Sequence, residues 1–300
     1  MKINSNGYPD FSENFADTAE FYREYFNSEL EKVSDEFCEH GCGYEVLGEA
    51  MKYSLSAGGK RIRPMLAFEF CRICGGRIED ALPAALAIEM IHTFSLIHDD
   101  LPCMDDDDMR RGRPSCHKAY GEAVALLAGD ALPFEACRLV ADSSLPPERK
   151  AAIISVLCEC SLYMIGGQTI DINGVTPEKL TDMYALKTSM LIKAACVSGC
   201  IAAGADKETQ TDAADYAYEL GLAFQIIDDI LDVVGDEAQL GKPTGSDEKS
   251  DKLTYVSMLG LEGAQTAARE HTEMAHKALG KFNETDFIQR LTDVLLDRKK

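Results

Sequence analysis

The chain has 300 residues, 46% of them hydrophobic, and a net charge of −21. That length and apolar fraction allow a large buried core. The charge argues against nucleic acid as a partner, since that binding draws on clustered Lys and Arg, and it repels an anionic substrate at long range unless a cation stands between them.

The first residues, MKINSNGYPDF, lack the apolar stretch of a signal peptide, so a cytoplasmic location is expected. Residues 1–43 read as a weakly patterned start and then one helix. Phe21, Tyr25, Leu30, Val33 and Phe37 give its spacing, and Gly41 and Gly43 end it. Tyr44 to Ala57 reads as a second helix, stopped by Gly58-Gly59. Lys60-Arg61-Ile62-Arg63-Pro64 follows, with three cations and a proline suited to the first turn of a helix. Freed backbone N–H groups beside cations at a helix start make an anion site.

Pro83 to Asp99 is apolar on most sides, which predicts a central, buried helix. His92 lies two turns before Asp99 on roughly the same face, and His98 is read as structural. Ser115 to Val140 and Ala151 to Ile165 read as further apolar helices, the second ending at Gly166-Gly167, with Gln168 and Asp171 just beyond. Thr176 as a cap and Pro177 at the first position open a helix that carries Lys187-Thr188, a polar pair among apolar neighbours. Asp206 to Val234 is another helix. Gly235 to Asp251 is a polar loop rich in Gly and Pro, and Leu253 to Leu279 and Glu284 to Leu296 complete the helices.

No segment shows sustained β alternation, and no repeat or linker divides the chain. The expectation is all-α: one domain spanning 1–300, a bundle of about ten helices around a deep central cavity. No uninterrupted apolar run reaches the length of a membrane span, so stable membrane insertion is not expected. The 11 cysteines are irregularly spaced, with Cys71/Cys74 and Cys158/Cys160 the closest pairs. They read as reduced, small core residues rather than a zinc or redox motif.

Two acidic clusters carry the chemistry. The run EMIHTFSLIHDDLPCMDDDDMRRGRP places Asp99, Asp100 and Asp105 to Asp108 within ten positions, followed by Arg110 and Arg111. Six carboxylates this close repel one another unless a cation sits among them. Carboxylate oxygens suit Mg²⁺, and arginine grips phosphate in bidentate fashion. The second cluster is Asp228, Asp229 and Asp232 in GLAFQIIDDILD. Asp228 and Asp232 share a helix face one turn apart, and the apolar residues around them do not make a solvated surface. Gln225 lies four before Asp229. Facing each other across a cavity, two such clusters would hold a pyrophosphate through divalent metal, and strict metal dependence is expected.

DDLPCMD (Asp99 to Asp105), FQIIDDILD (Phe224 to Asp232), GGKRIRP and GKPTGSD together resemble the trans-isoprenyl diphosphate synthases, the farnesyl and geranylgeranyl diphosphate synthase family, from about Leu47 to Lys300. The resemblance implies a Mg²⁺-dependent prenyltransferase, with three ions held by Asp99, Asp105 and Asp228 and with Asp100, Asp229 and Asp232 as further ligands or their supports. It implies that Lys60, Arg63, His92 and Arg111 bind isopentenyl diphosphate. Arg110, Lys187, Thr188 and Lys242 are assigned to the allylic diphosphate and Gln225 and Lys252 to substrate binding, with the 235–251 loop as a lid. It also implies a homodimer. Phe94 and Ser95, five and four before Asp99, occupy the family's chain-length floor. With the Pro102-Cys103 insert, an aromatic residue there resembles bacterial farnesyl diphosphate synthases, and the expected product is farnesyl diphosphate. On an ideal helix Ser95 lies beneath Asp99 while Phe94 points well away, so local distortion of the helix is expected.

The alternatives are a geranylgeranyl diphosphate synthase, a non-catalytic prenyl synthase subunit, a terpene cyclase and a metal-dependent phosphohydrolase. Both intact aspartate motifs disfavour the subunit, and GGKRIRP and DDILD disfavour the cyclase. A hydrolase would need more metal-binding histidines than the chain's six supply, and His271 and His276 are five apart.

Overall fold

Side-chain caps at Asn14 and Thr254 set two of the helix starts. The computed structural model describes residues 3–9, 14–38, 44–234 and 252–296. It divides into two compact units, Met1–Ser155 with Ile201–Gly204, and Val156–Cys200 with Ala205–Lys300.

In the first unit, α1 (Phe15–Glu36) opens at Asn14, whose side chain accepts from the Ala16 N–H. Its buried stripe is Thr18, Tyr22, Phe26, Leu30 and Ser34. That stripe is displaced from the expected Phe21, Tyr25 and Val33, because aromatic residues lie on both sides. Tyr22 takes the core position against Phe68, while Phe21 and Tyr25 stack on each other at its edge. α2 (Glu45–Leu55) and α3 (Ile62–Ile73) come next, and α3 is buried from Pro64 through Cys71.

α4 (Ile78–Asp99) is the central helix, apolar on nearly every side. It starts five residues before the expected Pro83, because the Asp80 carboxylate accepts from the Arg77 N–H (3.3 Å) and the Ile78 N–H donates to the Asn6 carbonyl. Pro83 therefore sits inside the helix, at the loss of one backbone bond. The helix runs unbroken past Phe94 to Asp99, without the distortion expected there. A small hairpin, β1 (Met109–Arg110) and β2 (Arg113–Pro114), follows the acidic run. Its turn residues Arg111 and Gly112 both have positive φ, 52° and 80°, as a tight two-residue hairpin turn requires. The single helix expected from Ser115 breaks at Gly121 (φ 84°) into α5 (Cys116–Tyr120) and α6 (Glu122–Asp142).

α7 (Pro147–Asn173) does not end at Gly166-Gly167 as expected. In the second unit a Cβ on Gly167 would stand 2.5 Å from the Lys187 backbone nitrogen, so that glycine admits a close neighbour instead of stopping the helix. Pro177 opens a 3₁₀ turn (Pro177–Lys179), and Thr176 makes no side-chain cap bond there. The chain continues through α8 (Leu180–Tyr184), a π turn (Ala185–Ser189) and α9 (Met190–Ala203). α10 (Lys207–Val234) packs along α11 (Tyr255–Leu279) around Leu222, Ile226, Tyr255 and Ala264. α12 (Asp286–Leu296) lays Phe287, Ile288, Leu291 and Leu295 inward.

The architecture is all-α, as the sequence predicts. One expectation is corrected: three helices, Ile78–Asp99, Pro147–Asn173 and Pro177–Ala203, are long and apolar enough to cross a membrane by length and composition. Scattered polar residues interrupt each run, yet its most apolar window keeps a mean hydropathy of 1.3 to 1.4. In the first and third, 67% and 78% of the most apolar window is buried in protein, against 28% in Pro147–Asn173. None of the ten described cysteines is in a disulfide. Cys71, Cys116, Cys160, Cys196 and Cys200 are buried, while Cys103 and Cys158 are exposed.

Candidate active site

In the first unit a cationic cluster forms around the turn between α2 and α3. Gly58 and Gly59 have φ of 79° and 134°, and Arg61 has 53°. The guanidinium of Arg111 lies where a Gly59 side chain would be and donates to the Gly58 carbonyl. Lys60 is exposed at the turn. Arg63 follows on α3, and its buried Nε has no hydrogen-bond partner. His92 projects from α4 into the same group. Its removal from solvent, and then the charges of Arg63, Arg111, Arg61 and Arg110, hold its imidazole well below the usual range. It is neutral at pH 7. Burial lowers Arg63 and Arg111 as well, and the Glu89 carboxylate opposes that shift. Four expected residues, Lys60, Arg63, His92 and Arg111, thus fall in one neighbourhood. An orphaned guanidinium nitrogen among cations suits an anion with several acceptor oxygens.

Two residues of this cluster are not among the sequence candidates. Arg61 turns inward, 4% exposed, and donates to Glu89 (2.6 Å), Asn27 (3.0 Å) and the Leu55 carbonyl (2.9 Å). The signal was Glu89 itself, a carboxylate between Ile88 and Met90 that burial obliges to have a partner.

The first acidic motif caps α4. The Asp105 N–H donates to the Asp99 carbonyl (2.9 Å), so the Leu101–Met104 insert folds Asp105 back over the helix end and brings the two aspartates together. Asp99 is half-buried and Asp105 exposed. Asp100 is buried, and its carboxylate takes a bidentate grip from Arg110, with Nε at 2.9 and 3.1 Å. Arg110 also reaches Asp107 at 3.2 Å. Burial works against both charges of the pair. It leaves the Asp100 carboxyl raised, while Arg110 ends above its usual range because Asp100 and Asp107 outweigh that cost. Asp100, Arg110 and Arg111 line a small cavity with Tyr53, Thr93 and Leu96. Further along the loop, one ligand atom each from Asp106, Asp108 and His117 lies within 4.8 Å of the others. Carboxylate oxygens at this density fit a hard divalent cation.

In the second unit, Asp228 and Asp232 stand one turn apart on α10, both half-buried. Asp229 is buried and accepts from the Tyr184 hydroxyl (2.6 Å) and the Tyr255 N–H (3.0 Å). The π turn presents Lys187 and Thr188, and such turns recur at functional sites. Thr188 donates to Gln225 (2.9 Å), and Lys187 is paired with Asp171 (2.5 Å), which also attracts Lys252 (3.9 Å). Lys187, Thr188, Gln225, Lys252, Asp228, Asp229 and Asp232 all belong to this unit. Lys242 and the 235–251 loop lie outside the described residues. Phe94 is buried with its ring edge-on to His98 (5.7 Å), and the Ser95 hydroxyl donates to the His92 carbonyl (2.9 Å). His98 contacts the Leu126 carbonyl (3.1 Å).

An all-α chain with a cationic cluster and two helix-borne aspartate motifs defines an enzyme class that works on diphosphates. The polyprenyl synthetase family profile matches residues 44–294, and the chain belongs to that family of trans-prenyltransferases. It is 40% identical over 264 residues to the farnesyl diphosphate synthase of Bacillus subtilis (strain 168), covering 85% of this chain and 89% of that one. It is 44% identical over 245 residues to geranylgeranyl pyrophosphate synthase 7, chloroplastic, of Arabidopsis thaliana, covering 78% and 71%. A crystal structure of a geranylgeranyl pyrophosphate synthase superposes with a TM-score of 0.86 at 28% identity, covering 94% of this chain and 99% of that one.

Proposed function

We propose that this prenyltransferase is a Mg²⁺-dependent farnesyl diphosphate synthase, joining isopentenyl diphosphate head-to-tail to dimethylallyl and then geranyl diphosphate. The observation that carries the reading is the gathering of Lys60, Arg63, His92 and Arg111 around an unpartnered guanidinium nitrogen, a preformed site for the diphosphate of isopentenyl diphosphate. Asp99, Asp105 and Asp228 are the proposed metal ligands, with Asp100, Asp229 and Asp232 in support and three ions per site. Bound Mg²⁺ supplies neutralisation of the allylic diphosphate charge. Lys187, released from Asp171, adds its charge to the same leaving group. The allylic C–O bond breaks with its electron pair on the diphosphate. The double bond of isopentenyl diphosphate attacks the resulting cation, and the proton lost afterwards goes to the released diphosphate. Apolar walls keep water from the cation.

The Pro102-Cys103 insert and an aromatic residue type at position 94 support the farnesyl product by resemblance alone, since regular α4 turns the Phe94 ring to His98 instead of beneath Asp99. The second reading, a geranylgeranyl diphosphate synthase, is supported by relatives of that name at comparable identity. Exposed apolar residues on α6 and α7, including Phe134 (77%), Leu127 (56%) and Leu162 (70%), support the homodimer. The family match from 44 to 294 supports a single catalytic domain, and a cytoplasmic location is kept as part of the proposal. The test is incubation with isopentenyl and dimethylallyl diphosphates, with and without Mg²⁺, followed by dephosphorylation and sizing of the alcohols. Farnesol formed only with Mg²⁺ is expected. Geranylgeraniol would keep the chemistry and overturn the Phe94 floor, and no elongation would leave the non-catalytic subunit.

A further inference from the structure

We infer that Arg61, clamped by Glu89, is a positioning residue that shapes the Gly58–Arg63 turn for isopentenyl diphosphate without touching it. The inference rests on the reading of Lys60, Arg63, His92 and Arg111 as that substrate's site. Arg61 is the residue before the first turn of α3, and it holds a left-handed conformation (φ 53°) that side chains other than glycine's resist. Its carbonyl accepts the first α3 bond, from the Met65 N–H (3.1 Å), so the direction of α3 is set at this residue.

Three anchors hold the strained backbone. The Arg61 fork spends its donors on Asn27 of α1, the Leu55 carbonyl at the end of α2, and Glu89 of α4. One planar group thus ties three helices to the turn, and Phe26 stacks on it, with the guanidinium carbon 5.4 Å from the ring centre. The Arg61 and Glu89 side chains are 2% and 3% exposed, so neither competes for a ligand. Lys60 and Arg63 flank the clamped residue, and Arg111 lies against Gly59 of the same turn. Glu89 also counters the charges of Arg63 and Arg111 before any substrate arrives. If the clamp were lost, the turn would keep its cations but not their arrangement.

The test compares KM for the two substrates. Arg61→Lys keeps the charge but cannot reach three separated acceptors. The double variant Arg61→Gly with Glu89→Gln relieves the left-handed strain and removes both charges of the clamp together, so neither Arg61 nor Glu89 is left buried without the other. For both, KM for isopentenyl diphosphate is expected to rise about 10-fold, equivalent to ~1.4 kcal/mol, while KM for the allylic diphosphate and kcat stay close to the parent. Lys60→Ala and Arg63→Ala serve as references and should raise the same KM. If the references raise it and the Arg61 variants do not, the clamp is only structural and the inference falls. It falls equally if the Arg61 variants raise both KM values together. If the references themselves leave KM for isopentenyl diphosphate unchanged, the underlying site assignment fails instead.

Discussion

Replacing Tyr184 by Phe removes one hydroxyl and little else. The Tyr184 and Tyr255 rings pack 5.6 Å apart, and Phe keeps that contact. What is lost is the 2.6 Å bond to Asp229, a residue only 3% exposed, whose same oxygen then retains the Tyr255 N–H. A hydrogen bond to a charged, buried group is worth ~1.5–3 kcal/mol. For a chain of this size that corresponds to ~2–5 °C in melting temperature, measured by circular dichroism. Asp229 adjoins Asp228, the proposed metal ligand, and loss of an orienting partner beside such a ligand typically costs about 10-fold or more in metal affinity. The Mg²⁺ concentration for half-maximal prenyl transfer should therefore rise about 10-fold in Tyr184→Phe. A melting temperature and a Mg²⁺ curve both indistinguishable from the parent would show that Asp229 is held without Tyr184, and would refute the reasoning.

Gly167→Ala places a methyl group 2.5 Å from the Lys187 backbone nitrogen. It should destabilise the protein by ~1–3 kcal/mol in chemical denaturation and lower activity by displacing Lys187; unchanged stability would mean the two segments yield easily. His92 stays neutral when folded, so below its usual value of about 6.5 the unfolded chain binds the extra proton. Its contribution is complete above that pH and is lost as pH falls below it. His92→Gln should flatten the decline of melting temperature between neutral and mildly acidic pH, and parallel curves would contradict this. Burial raises the Cys71 thiol to about 12 and Cys160 to about 11. Mass spectrometry after brief alkylation of the native protein near pH 8 should find Cys103 and Cys158 labelled and these two spared.

Helix existence was legible in the sequence because the apolar runs are long. Helix ends were less so, and the reason is visible at two places. Pro83 reads as a helix start and Gly166-Gly167 as a stop, yet α4 starts earlier on the Arg77–Asp80 cap and α7 continues because Gly167 accommodates Lys187. Glycine as a breaker and glycine as a point of close approach look alike until the neighbour is known. The hairpin after the acidic run escaped notice because two-residue strands leave no alternation to detect. The Arg61–Glu89 pair was half legible. Glu89 in an apolar helix demands a cation, but only the left-handed backbone at position 61 decides that Arg61 turns inward while Lys60 stays exposed.

The aspartate motifs show how far residue order alone can assign roles. Consecutive residues on a helix diverge by 100°, so a pair of adjacent aspartates cannot present both carboxylates to one ligand. In both motifs the division falls the same way. The second member is buried and held by the protein, Asp100 by Arg110, and Asp229 by Tyr184 and the Tyr255 backbone. The first member, Asp99 or Asp228, is half-buried. Asp105 and Asp232 then supply a further carboxylate near the first member, one by a loop that folds back and the other by a full helical turn. Two different backbone routes thus reach the same pairing of an accessible aspartate with a distant one, and in each motif a protein-held neighbour fixes the end of the pair that the helix supplies.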